Sequence, residues 1–246
     1  MTWGLFQFRR INRYFWRQLE YSEFFFSRPE RLNDPFDCRV DWRRSLSRAL
    51  ATSTISSERR SKLVEIQSAF LGRDPHLEAG VCCFTINMNN HLMWSHYADS
   101  HRGICLFYSI PEDFFPRSYP PGHSRYFVGG SPVFYGNEAL FNWLTTEDLD
   151  QPLPGDHIEN AVSRIFSSKA EAWKHEEEFR LIASKEGSLK IDPAFLKQVT
   201  FGLRTPHDVR DRVRKLVKST NPNAFVSEVR KDPQSDFGLM FPDVEA

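Results

Sequence analysis

Cysteine is scarce in this chain, and the four present, Cys38, Cys82, Cys83 and Cys105, form no paired CxxC knuckles. An adjacent pair such as Cys82-Cys83 suits neither a zinc site nor a simple disulfide framework, so all four read as buried thiols in a reducing compartment. No apolar run approaches the ~20 residues that cross a bilayer, and the N-terminal MTWGLFQFRRINRYF carries arginines where a signal peptide needs an apolar core. A cytoplasmic location with no membrane partner is therefore expected. A dominant charge sign is also missing: 32 Lys and Arg balance 32 Asp and Glu, so any basic patch must be local. The sequence contains no G-x-G-x-x-G, P-loop, G-x-S-x-G or H-E-x-x-H, which removes the entry residues of the commonest nucleotide, hydrolase and zinc sites. His91, His96 and His101 recur every five residues, a spacing that matches neither helix nor strand ligation, and no metal is expected there.

What the chain does have is length and aromatic mass. Its 246 residues are 40% hydrophobic and 14% aromatic, enough for one sizeable core. No repeat or long linker divides it, so residues 1–246 read as a single domain. Trp3 to Phe8 predicts a strand, Asn12 caps a helix ending near Glu20, and Glu23 to Ser27 predicts a second strand stopped by Arg28-Pro29. The Asn-Asp-Pro core of Leu32-Asn33-Asp34-Pro35-Phe36-Asp37 specifies a turn. Trp42 to Leu71 predicts two helices broken near Thr52 to Ser57, which makes 42–75 a helical insertion or lid. Strands are expected at Val81–Ile86, Gly103–Tyr108, Val133–Tyr135, Phe179–Ala183, Thr200–Leu203 and Phe225–Val229. Between them lie a short helix at Leu92–Ala98, a long loop from Phe114 to Gly130, and helices at Glu138–Leu144, Ile158–Lys169 and Pro193–Val199. His207–Thr220 predicts an amphipathic helix with Val209, Val213 and Leu216 inward. The fold class is α+β, with a mixed or antiparallel central sheet and flanking helices.

The chemistry-bearing stretch is Trp173-Lys174-His175-Glu176-Glu177-Glu178-Phe179-Arg180. As a strand it sets Glu176, Glu178 and Arg180 on one face; as a helix it makes Glu176 and Arg180 an ordinary i, i+4 surface pair. Two carboxylates so close crowd each other unless Arg180 neutralises them. A metal-dependent nuclease would place a lysine where Arg180 stands, and Asp34, Asp37 and Glu178 are the residues that could hold its Mg²⁺. A third reading is a non-enzymatic sensor or interaction module whose polar motifs knit loops together.

The motifs F-x-S-x-P-x-x-LNDPFD, MWSHYADSHRGIC and K-x-x-x-W-x-x-E-x-E-F-R occur together and in order. They resemble the bacterial DUF2971 family, found among defence-island and toxin-like genes, from Leu5 to about Gly202. The signature positions are Asn33, Asp34, Pro35, Asp37, Met93, Trp94, Tyr97, Gly103, Lys169, Trp173, Glu176, Glu178 and Arg180; Gln7 stands where a basic residue is common. More distantly, a basic strand, a strand ending in serine and a late E-x-E are similar to the Arg, Ser, Glu scheme of ADP-ribosyltransferases. That resemblance implies an ADP-ribosyltransferase-like fold and an NAD-cleaving or ADP-ribosylating enzyme with a toxin or antiphage role. Glu178 would stabilise the oxocarbenium-like transition state and Glu176 would handle the acceptor. Arg9 or Arg180 would pair the pyrophosphate and Trp94 or Tyr97 would stack on a ring, with Ser27, Asn33 and Asp34 completing the NAD-binding set. The implied partners are NAD, a protein or nucleic-acid acceptor, and a cognate antitoxin or defence-system protein.

Overall fold

The computed structural model describes residues 2–72, 79–112, 114, 128–149 and 157–241. In chain order the elements are β1 (Thr2–Arg9), α1 (Arg13–Tyr21), β2 (Glu23–Phe26), α2 (Trp42–Ala51), α3 (Ser57–Ala69), β3 (Gly80–Thr85), α4 (His91–His96) and β4 (Ile104–Pro111). Then follow β5 (Val128–Pro132), β6 (Phe134–Tyr135), α5 (Ala139–Thr146), α6 (His157–Phe166), β7 (Ser168–Lys169), β8 (Glu178–Ala183) and β9 (Gly187–Lys190). The chain closes with β10 (Leu196–Phe201), α7 (His207–Thr220), β11 (Phe225–Glu228), β12 (Arg230–Lys231) and β13 (Leu239–Met240).

Seven strands form a central sheet in the order β11-β10-β4-β1-β3-β8-β5. All its neighbours run antiparallel except the β10–β11 pair, so the sheet is mixed and the class is α+β. Side-chain alternation then decides what each face meets. Leu5, Cys82, Phe84, Leu106, Tyr108 and Leu181 point to one face and pack with Phe15 and Leu19 of α1 and Val213 and Val217 of α7. On the other face, Val81 and Ile182 pack beneath α2, α3, α5 and α6 through Trp42, Leu46, Leu63, Ile66, Trp143 and Phe166. Beside them Phe8 and Cys105 pack with Met93, Trp94 and Ala98 at α4. The two helices expected between Trp42 and Leu71 thus contribute a buried core; residues 73–75 of that stretch lie outside the described residues.

Local chemistry sets the helix starts. Asn12 Oδ1 accepts from the amides of Tyr14 and Phe15, and Asn90 Oδ1 accepts from those of Leu92 and Met93, so each asparagine satisfies two donors the helix itself cannot. Three expectations are corrected. The loop expected to reach Gly130 gives way to β5 at Val128, the remainder from 115 to 127 lying outside the described residues. The helix expected to run through Lys169 ends at Phe166, and Ser168–Lys169 pairs with β6. The helical segment expected over Pro193–Val199 is one 3-10 turn, Pro193–Phe195, because Leu196 onward is drawn into the ladder with β4, where Val199 and Phe201 become fully buried. Among the described residues no helix is long and apolar enough to cross a membrane.

Candidate functional site

On the second face, between the two clusters packed there, the core gives way to charge. The register places Phe6 opposite Thr85, Thr85 opposite Glu178, and Cys83 opposite Arg180, so these side chains share one face. Above them sits Lys169, delivered by the short parallel pairing of β7 with β6. Its ammonium lies 2.5 Å from Glu176, 2.9 Å from Glu178 and 3.3 Å from Asp37. Arg180, with no exposed surface, donates through Nη2 to Asp37 at 2.7 Å and to Glu178 at 2.8 Å. Its Nε reaches the other oxygen of Glu178 at 2.8 Å, and Nη1 reaches the Phe166 carbonyl and the Cys38 sulfur. Three carboxylates therefore face two cations in a space withdrawn from water.

The electrostatic consequences differ from group to group. Burial pushes the Glu178 carboxyl up, but the charge and hydrogen bonds of Arg180, with Lys169 behind, outweigh it and hold the group at about 2. Burial lowers Lys169, and the three carboxylates more than reverse that, leaving it well above the ordinary lysine value. Burial pushes the Cys38 thiol up to about 12 and raises Cys83 well above its ordinary value, so neither is a thiolate nucleophile. Tyr97 is raised by burial and by its hydrogen bond to Glu176, and stays a neutral donor.

A cavity of about 160 Å³ opens onto this cluster. Asp37, Cys83, Thr85, Lys169, Glu176 and Glu178 form its polar side, while Phe6, Phe8, Met93 and Tyr97 form its aromatic and apolar side, with Leu32 and Asn33 also lining it. Tyr97 donates to Glu176 at 2.6 Å and accepts a long contact from Asn33 Nδ2 at 3.4 Å, tying the turn after β2 to the segment before β8.

The expected site residues fall into two groups. Glu176, Glu178, Asn33 and Tyr97 line the cavity together, and Arg180 stands directly behind Glu178 and Asp37. The pairing of Glu176 and Glu178 arises differently from the strand or helix anticipated. Glu176 ends a 3-10 turn, Glu177 takes a left-handed conformation with φ of 44°, and only Glu178 is in a strand. Asp34 is outside the cavity, its Oδ1 accepting from the Phe36 amide within the turn. Trp94 is fully buried behind the cavity, edge-on to Phe8 and with its indole N–H donated to the Met88 carbonyl, so no ring face is free for a ligand. Arg9 follows Phe8 on β1 and projects to the opposite sheet face, toward Cys82 and Tyr108. Ser27 bridges Val81, four residues along β3 from Thr85 and so roughly 13 Å from Glu178's neighbour. Asp37 was expected only as a ligand of a nuclease's Mg²⁺, and Lys169, Cys83, Thr85, Phe6 and Phe8 were not singled out as ligand contacts. The K-x-x-x-W-x-x-E-x-E order held the signal for Lys169, a cation seven and nine residues before the two acids it bonds.

A divalent ion between Asp37 and Glu178 would need the positions that Lys169 and Arg180 occupy, and Asp34 is not there to complete its shell. Among the described residues no group of three or more His, Cys, Asp or Glu is placed to hold a metal. No curated protein and no solved structure matches the chain. The family model described as "Protein of unknown function (DUF2971)" matches residues 93–181, a span that starts at the methionine of MWSHYA and ends one residue beyond Arg180. The LNDPFD turn lies outside that span, yet its Asp37 bonds directly to Lys169 and Arg180 inside it. From α4 to β8, therefore, this chain carries the DUF2971 family's signature.

Proposed function

We propose that the chain is a cytoplasmic NAD-cleaving enzyme with an ADP-ribosyltransferase-like fold, and that the cavity is where the nicotinamide–ribose bond breaks. The observation that carries this reading is that Glu176 and Glu178, clamped to one lysine, line a cavity whose other wall is aromatic. Breaking the bond sends its electron pair to the nicotinamide nitrogen and leaves positive charge on the ribose, which a fixed acidic wall stabilises without reorganising. Water or an acceptor hydroxyl then attacks the ribose carbon, and Glu176, oriented by Tyr97, takes the attacking group's proton. A space of about 160 Å³ suits one ring rather than a dinucleotide, so the pyrophosphate and adenosine would lie at the Leu32–Asn33 side. Arg180 has the role of holding Glu178, not of binding phosphate.

Incubating the purified chain with NAD and measuring nicotinamide release tests the reading, with Glu178→Gln as the control. An enzyme that depletes NAD would arrest its own cell unless a cognate antitoxin or defence partner restrained it. Unrestrained expression should therefore stop growth, and Glu178→Gln should restore it. Equal toxicity of the two proteins would argue against the role.

One observation favours a second, non-enzymatic reading. Both oxygens of Asp37 and both of Glu178 are already bonded to Lys169 or Arg180, as in a structural network. On that reading the glutamine variants lose thermal stability alone, and the wild type neither binds nor cleaves NAD.

A further inference from the structure

The sheet face away from the cavity carries α1 and α7, which pack against each other and collect cations that the chain as a whole does not have in excess. α7 has five Arg or Lys against two Asp, in a protein whose formal net charge is zero. Some of these charges are neutralised locally: Arg17 by Glu23, Arg210 by Glu228 and Arg214 by Asp211. Arg13, Arg212, Lys215 and Lys218 are exposed and have no carboxylate partner among the described residues. Their spacing puts Arg212, Lys215 and Lys218 along one side of α7, each three residues from the next.

Aromatic rings are interleaved with these cations. Arg212 of α7 lies 3.9 Å from the centre of the Trp16 ring of α1, and Arg13 lies 4.7 Å from that of Tyr14. Tyr14 and Tyr21 are 52% and 51% exposed, at the two ends of α1. Guanidinium groups held over rings lose little further freedom on meeting a phosphate or a base. An acidic protein would need the cations alone, whereas exposed rings beside oriented arginines also suit the π-faces of unpaired bases.

We propose that the α1–α7 surface binds single-stranded nucleic acid, with Arg13, Arg212, Lys215 and Lys218 on phosphates and Tyr14 and Tyr21 as stacking platforms. The surface is on the far side of the sheet from the cavity, and the proposal holds whether or not the cavity cleaves NAD. Four phosphate contacts give a log–log salt slope of about −3 for a single strand, so affinity falls about 50-fold between 50 and 200 mM salt.

The test is fluorescence anisotropy of the full chain with labelled 12-mer oligo-U and oligo-dT across that salt range. The double variant Arg212→Glu/Lys215→Glu should lose at least about tenfold in affinity and about half of the slope. Tyr14→Ala should weaken binding about tenfold with the slope unchanged, a stacking effect that loss of charge does not produce. Every substituted side chain is exposed, and unchanged thermal unfolding would show that the fold is kept. No binding at 50 mM salt with 50 µM protein would overturn the proposal, as would undiminished binding by the double variant. Labelled polyglutamate bound as tightly as the oligonucleotides would overturn it in favour of an acidic protein partner.

Discussion

Replacing Lys169 with methionine removes one charge and keeps most of the stem's volume. The native ammonium belongs to a side chain only 5% exposed and stands 2.5, 2.9 and 3.3 Å from Glu176, Glu178 and Asp37. Without it Asp37 and Glu178 would share the guanidinium of Arg180, and Glu176 would keep only the Tyr97 phenol. Breaking a buried ion pair from one side costs about 3 to 5 kcal/mol, because the charges left behind stay desolvated. For a chain of this length that lowers Tm by about 10 °C. The pH dependence is the sharper test. Glu178 is held at about 2 in the folded protein against an ordinary 4.5, so its contribution is present above the ordinary value and is lost as pH falls toward the folded one. The difference corresponds to about 3 kcal/mol. In Lys169→Met the sign reverses for the carboxylate left without a cation. Proton uptake now relieves repulsion, so stability should rise as pH falls from about 7 to about 5, where the wild type is flat. Thermal unfolding followed by circular dichroism from pH 5 to pH 8 measures both effects. A Tm within about 2 °C of the wild type, with the same pH profile, would refute the reasoning.

Tyr97→Phe keeps the ring and deletes the 2.6 Å bond to Glu176, which should lower stability by about 1.5 to 3 kcal/mol in a urea titration and slow nicotinamide release about tenfold. Glu178→Gln should reduce nicotinamide release by two to three orders of magnitude, on the order of losing one electrostatic contact to a transition state. Glu176→Gln should instead depress labelled ADP-ribose incorporation more than hydrolysis, and parallel loss of both activities would remove its separate role. Stability should also fall above about pH 9, because burial raises Cys38 and Cys82 to about 12, so these thiols ionise at their ordinary value of 9.0 only when unfolded. A urea midpoint that is flat to pH 11 would contradict that. In Gly103→Ala the new Cβ would meet the Arg9 carbonyl at 2.2 Å and the Ala98 carbonyl at 2.9 Å, and the variant should lose about 3 kcal/mol or more in denaturant unfolding.

Elements whose signals are local were legible in the sequence. Asn12 announced α1 because a short polar side chain before an apolar periodic run can serve as its cap, and α7 announced itself by the row of Val209, Val213 and Leu216, of which Val213 is buried and the other two pack partly buried beside it. Elements decided by pairing were not. β9 is a four-residue strand rich in small and polar groups whose only reason to be extended is β2, and Leu196 to Val199 could be helix or strand until β4 claims it. The site divides the same way. Two carboxylates near an arginine were visible as a concentration of charge. Which aspartate of LNDPFD turns inward was not: Asp34 satisfies the turn, while Asp37, next to Cys38 with its φ of 53°, swings under the helices to Arg180. Arg9 failed for a related reason. Its face is fixed by alternation from Phe8, but whether Glu178 shares that face depends on the registers of β1 with β3 and of β3 with β8, which local sequence does not encode.

The cluster's asymmetry bears on why it exists. Apolar side chains of similar volume can replace a buried ion-pair network with no loss of stability, so the charges are not needed merely to fill the space. Nor are they evenly paired. Arg180 and the inner oxygens of Asp37 and Glu178 are closed off beneath α6, with every guanidinium nitrogen bonded. Glu176 has one cation partner and the phenol of Tyr97, and both residues line the cavity. Here Glu178 is bonded by both cations and Glu176 by Lys169 alone, although both side chains line the cavity and are withdrawn from solvent to a similar degree. That difference in pairing fixes the position of Glu178, and on the proposed reading it leaves Glu176, with fewer partners, as the acid that meets the attacking group.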